Sequence, residues 1–85
     1  MKREKRLNKI KQSPKDVTFH ELTAVLKDYG FEMRRSKGSH VTFSHNLIDE
    51  IFVVPSNNNP LLRIYVKNAI KYIHQVIELE KNINE

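Results

Sequence analysis

Phe31-Glu32-Met33-Arg34-Arg35-Ser36-Lys37-Gly38-Ser39-His40-Val41-Thr42-Phe43 is the stretch that decides the fold. Apolar residues fall on alternate positions, Phe31 and Met33 before the middle and Val41 and Phe43 after it, while Glu32, Arg34, His40 and Thr42 lie between them. A period of two marks strands with one buried face. The two runs flank Ser36-Lys37-Gly38, which predicts a hairpin with a three-residue loop and Gly38 at the positive-φ bulge position. That loop pairs Phe31 with Phe43 and Met33 with Val41 on the buried face, and it sets Arg34 opposite His40 on the other. A two-residue loop at Lys37-Gly38 sends apolar side chains to the wrong face, so the pattern rejects it.

Upstream the period changes. Thr18-Phe19-His20-Glu21 matches a capping box, in which Thr18 and Glu21 each satisfy an orphan backbone N–H at a helix start. Phe19, Leu22, Val25, Leu26 and Tyr29 follow at three- and four-residue spacing, and Gly30 supplies a left-handed C-terminal cap. Before them, Lys2 to Gln12 reads as a short basic helix ended at Ser13-Pro14, because proline biases the preceding residue away from helix. Downstream, Asn46 to Glu50 is a polar turn and Ile51-Phe52-Val53-Val54 an apolar strand stopped by Pro55. Being apolar on both sides, this strand exposes Phe52 and Val54 unless a loop or partner covers them. After the loop Ser56-Asn57-Asn58-Asn59, Asn59 is the expected N-cap and Pro60 the first residue of a long helix. Leu62, Val66, Ala69, Ile73 and Val76 form its stripe towards the sheet. The predicted architecture is α+β, a three-stranded antiparallel sheet packed against helices with an extra basic N-terminal helix.

Composition narrows the function classes. The 85 residues suit one small core, and a hydrophobic share of 39% with a charged share of 29% fits a soluble globular domain. There is no cysteine, so neither disulfides nor thiolate chemistry are available, and a cytoplasmic setting is expected. No His-rich or acidic cluster has metal-ligand spacing, and neither a metal nor a cofactor is expected. No run reaches membrane-spanning length, and the start lacks the apolar stretch of a secretory signal. The net charge of +5 favours an anionic partner. Residues 1–15 hold seven of the fifteen Lys and Arg and one of the ten acids, a balance of +6, whereas the other seventy residues carry −1. Basicity is thus a property of an N-terminal extension, residues 1–15, ahead of a domain at 16–85, with one further cluster at Arg34, Arg35 and Lys37.

The order of motifs resembles the HicA toxin family. The resemblance is carried by Phe19-His20-Glu21-Leu22, Tyr29-Gly30-Phe31-Glu32, Lys37-Gly38-Ser39-His40 with Phe43 following, and Val53-Val54-Pro55 before a final helix. It covers roughly residues 16–75. It implies a fold like a double-stranded-RNA-binding domain, ribonuclease activity on messenger RNA, and neutralisation by an antitoxin of the HicB kind. The family's essential histidine falls on His40. The basic extension and the length of the final helix depart from the family pattern, and no role is inherited for either.

The residues themselves support that chemistry. RNA carries its own nucleophile in the 2′-OH, so cleavage needs a base, a cation for phosphate charge and a proton for the leaving oxygen. Histidine exchanges a proton near neutral pH, which makes His40 the candidate general base. Arg34 across the hairpin is the candidate phosphate ligand, with Arg35 and Lys37 as further RNA contacts and Ser39 and the backbone at Gly38 as hydrogen-bonding groups. The plainer alternative makes His40 a solvated strand residue and the cations a solvated hairpin tip, and a non-catalytic RNA-binding module would use the same surface. Among the other histidines, His20 and His74 read as surface residues. A straight strand carries His45 roughly 16 Å beyond His40 and onto the opposite face, so it joins His40 only if the strand breaks near Ser44. The same parity separates Ser39 from His40.

Overall fold

The computed structural model describes residues 2–35, 38–57 and 59–84. Its elements run α1 (Lys2–Gln12), a 3₁₀ turn (Pro14–Asp16), α2 (Phe19–Asp28), β1 (Glu32–Arg35), β2 (His40–Ser44), β3 (Phe52–Pro55) and α3 (Arg63–Asn84). The strands form one antiparallel sheet in the order β1-β2-β3, with β2 in the centre. One sheet face is packed by helices, giving the α+β, double-stranded-RNA-binding-domain-like arrangement expected from the sequence.

α2 begins at the capping box read from its sequence. The Glu21 N–H donates to the Thr18 hydroxyl at 3.1 Å, and the Thr18 N–H donates to the Glu21 carboxylate at 3.0 Å. That second bond is the main cause holding the Glu21 carboxyl below its ordinary range, since it favours the charged form. α2 ends in a Schellman closure: Gly30 has φ +89°, its N–H donates to the Lys27 carbonyl, and the Phe31 N–H donates to Leu26.

This closure explains the first correction. Phe31 gives its N–H to the helix end, and the ladder starts at Glu32 opposite Ser44, with Met33 opposite Phe43, Arg34 opposite Thr42 and Arg35 opposite Val41. The observed register is displaced by two residues from the expected one, so Arg34 does not stand opposite His40. An even slip leaves every side chain on its own face, and the apolar pattern is therefore blind to it. Phe31 packs edge-on against Phe52 at 5.8 Å instead of pairing with Phe43.

The second correction concerns β3. Phe52 and Val54 are buried at 9% and 1% exposure, while Ile51 and Val53 are the exposed residues at 65% and 45%. Phe52 opposite Phe43 and Val54 opposite Val41 follow the core face of β2, and the Phe52 ring stacks between Phe43 and Tyr72 at 5.6 and 4.8 Å. The third correction is at the last helix. It starts at Arg63, Leu61 is buried at 2%, and Leu62 is 60% exposed. The Leu61 N–H donates to the Val17 carbonyl at 2.8 Å, and Asn59 Oδ1 accepts the Phe19 N–H at 3.0 Å. Asn59 thus satisfies an orphan donor of α2, not of α3, and the segment is tied across the domain before the helix can begin. Val66, Ala69, Ile73 and Val76 do form the buried stripe, each at 0%.

α1 also enters the core, through Leu7 and Ile10 at 4% and 3% exposure. No helix among the described residues is long and apolar enough to cross a membrane.

Candidate active site

β2 holds His40 at its first position, in the central strand, with the side chain exposed. Pro55 of β3 lies opposite it. One residue earlier, the Ser39 carbonyl accepts two hydrogen bonds from Ser56, from the backbone N–H at 2.7 Å and from the hydroxyl at 3.0 Å. The peptide that joins Ser39 to His40 is therefore held by the chain leaving β3. Gly38 has φ +70°, and a Cβ there would meet open space, so the glycine answers a conformational need and not a packing one.

Strand alternation sorts the expected RNA-binding residues. Arg34, opposite Thr42, shares the open face with His40, two residues along β2 from Thr42. Such diagonal neighbours across an antiparallel pair are about 7–8 Å apart, within reach of a long side chain. Arg35, opposite Val41, belongs to the other face, and its side chain is exposed. By this register Arg34 shares a sheet face with His40, Ser39 precedes it in the chain, and Arg35 is turned to the other face. Lys37 lies outside the described residues. The open face further carries Thr42 and Ser44 of β2, Glu32 of β1, and the exposed Ile51 and Val53 beside β2.

The remaining histidines stand apart. β2 does end at Ser44, but His45 turns into the α2 end: its Nδ1 accepts the Leu47 N–H at 3.0 Å and its Nε2 lies 3.0 Å from the Tyr29 carbonyl. With Nδ1 occupied as an acceptor, Nε2 carries the hydrogen and donates it to Tyr29. The ring also meets Phe31 edge-on at 4.9 Å, so His45 is a structural plug and no second proton carrier for His40. His20 and His74 are exposed on α2 and α3. Among the described residues no group of three or more His, Cys, Asp or Glu is placed to hold a metal ion.

Two residues near His40 were missed by the sequence reading, Ser56 and Thr42. The signal for Ser56 was the pairing of β2 with β3, which was not assigned: extended by one residue, the His40–Pro55 register sets Ser56 beside Ser39. Alternation alone makes Thr42 an outward strand position, and the observed register sets it directly opposite Arg34, two residues along β2 from His40.

A family model described as HicA toxin of bacterial toxin-antitoxin matches residues 19–76, which takes in α2, the whole sheet and most of α3. No curated protein and no solved structure matches the chain.

Proposed function

The chain belongs to the HicA toxin family, and on that premise we propose that it is the toxin of a toxin–antitoxin pair that cuts messenger RNA without a metal ion, with His40 as general base. His40 takes the proton of a ribose 2′-OH. The oxygen attacks the adjacent phosphorus, and the bond from phosphorus to the 5′-oxygen breaks, leaving a 2′,3′-cyclic phosphate and, after protonation, a 5′-OH. Arg34 neutralises charge gathering on the phosphate oxygens, and Ser39 and the backbone at Gly38 add hydrogen bonds. Lys37 contacts phosphates flanking the scissile one, and Arg35, on the other face of the edge strand β1, contacts the RNA only where it passes round that edge.

The observation that carries this reading is the common placement of His40 and Arg34 on the sheet face that the helices leave open, with the peptide before His40 clamped by Ser56. Residues 16–85 form the toxin domain in this reading, residues 1–15 its basic extension, and the setting is cytoplasmic. A HicB-like antitoxin neutralises the toxin by laying an acidic surface over Arg34 and His40 and packing on the exposed Ile51 and Val53.

Replacing the 2′-OH by hydrogen at the scissile position tests the chemistry. Cleavage is expected to stop while binding persists, and cleavage of the all-ribose RNA is expected to continue in excess chelator. Cleavage of the deoxy-substituted RNA would refute the internal nucleophile, and activity lost in chelator and restored by a divalent ion would refute metal independence.

A further inference from the structure

Residues 1–15 carry the chain's excess positive charge and lie outside the matched region 19–76. α1 is nonetheless built into the domain. Leu7 and Ile10 of α1 are core residues. The Arg6 guanidinium donates to both carboxylate oxygens of Asp28 at 3.1 Å, while Arg3 lies 4.6 Å from the centre of the Tyr29 ring and 3.6 Å from Glu80. The arginines seal the seam with α2 and α3, and Lys5, Lys9, Lys11 and Lys15 are left outside it. Lys5, Lys11 and Lys15 are exposed, and among the described residues no ion pair reaches them. Lys9 is 78% exposed and only 3.9 Å from Glu21. Lys5 and Lys9 share one open side of α1 with Asn8, Gln12 and the helix's one acid, Glu4.

We propose that the outer face of α1, with Lys15 in the turn after it, is a second contact surface for single-stranded RNA, gripping phosphates remote from the scissile bond. This rests on RNA being the substrate. An RNA backbone asks only for cations held in a fixed array, and docking through Leu7, Ile10, Arg3 and Arg6 holds them so without the ordering cost of a loose tail. A protein partner needs apolar anchors in a dry centre. The exposed large hydrophobic residues, Ile51, Val53, Leu62, Ile64 and Ile83, all lie elsewhere among the described residues. Because α1 packs on α2 and α3, whereas His40 stands on the open sheet face, only an RNA long enough to pass round the domain feels both surfaces.

The test compares two triple variants of the full chain, each also carrying His40→Ala so that RNA is bound and not consumed. One has Lys5→Gln, Lys11→Gln and Lys15→Gln; the other removes the same charge from α3 by Arg63→Gln, Lys67→Gln and Lys71→Gln. For long single-stranded RNA, the α1 variant is expected to lower the slope of log affinity against log salt by about 2, and to weaken binding at least about tenfold at 0.1 M salt. The α3 variant keeps the parent slope. With His40 restored, the α1 lysines raise KM for long RNA when lost and leave KM for the shortest cleavable oligonucleotide as it was. A slope indifferent to the α1 lysines, an equal loss in the α3 variant, or a loss of antitoxin affinity in place of RNA affinity overturns the surface. If the parent itself shows no salt-dependent RNA binding, the RNA reading fails instead.

Discussion

Ser56 donates two hydrogen bonds to one acceptor, the carbonyl of Ser39, at 2.7 Å from its N–H and 3.0 Å from its hydroxyl. The pair fixes the plane of the peptide that introduces His40, and it does so from the residue just after β3, a strand otherwise occupied with the core through Phe52 and Val54. Ser56→Ala keeps the backbone bond and loses the hydroxyl, so its cost in stability is expected to stay near 1 kcal/mol, about that of one neutral hydrogen bond. Cleavage is more sensitive to angle than folding is. The expected result is a kcat lowered roughly tenfold with KM little changed, and recovery in Ser56→Thr. Single-turnover cleavage of the two variants beside their melting curves checks this; a fall in kcat no larger than the loss of folded protein would reduce Ser56 to an ordinary turn residue.

The capping box makes a pH-dependent contribution. The folded-state pKa of Glu21 is depressed, chiefly by the Thr18 N–H, so its stabilisation is present above the ordinary Glu range and is lost as pH falls through the lower folded value. Glu21→Ala is therefore expected to destabilise the domain at neutral pH, with the gap to the parent narrowing on acidification. Thr18→Ala removes the other half of the box and is expected to cost about 1 kcal/mol. Denaturant unfolding at pH 7 and at pH 3.5 measures both; a Glu21→Ala gap that widens in acid contradicts the assignment.

Leu61 and Leu62 separate the observed chain path from the one expected for the last helix. With Leu61 buried at 2% and Leu62 exposed at 60%, Leu61→Ala is expected to cost about 2–5 kcal/mol and Leu62→Ala under about 0.5 kcal/mol. Comparable losses at the two positions, or the reverse order, would restore Leu62 to the core stripe.

How much was legible follows from what each signal can resolve. Capping chemistry is local, so Thr18, Glu21 and Gly30 were readable one residue at a time; at Gly30 an added Cβ would also meet His45 Nε2 at 3.1 Å. The hairpin and its faces were readable because parity is local too. The register was not, because a slip of two preserves parity and the deciding event is the use of the Phe31 N–H in the α2 closure. The exposures of Phe52 and Val53 were unreadable for a similar reason, since a fully apolar strand has no internal sign of which side faces in. Leu61 was hidden by the tie of its N–H to Val17, a contact between segments far apart in sequence. His40 and Arg34 were selected for chemistry, and they share a face in the expected and observed registers alike, opposite each other in one and diagonal in the other.

Ile51 and Val53 are the apolar residues beside the proposed site that water still reaches, at 65% and 45% exposure. Val53→Asp combined with Ile51→Asp is expected to weaken antitoxin binding at least about tenfold, by removing apolar anchors and setting an acid against an acidic partner surface. Folding is expected to change little, because neither side chain belongs to the core. Titration calorimetry with the antitoxin reads the loss; unchanged affinity would move the interface away from β3.

His40 is the proposed base for RNA cleavage. The most direct measurement is single-turnover cleavage of a ribose substrate by His40→Ala and by the parent, alongside thermal unfolding of both. An exposed residue at the start of a strand contributes little to the core, so the variant is expected to melt within a few degrees of the parent and to show no cleavage. A His40→Ala protein that is folded and still cuts RNA would contradict the account.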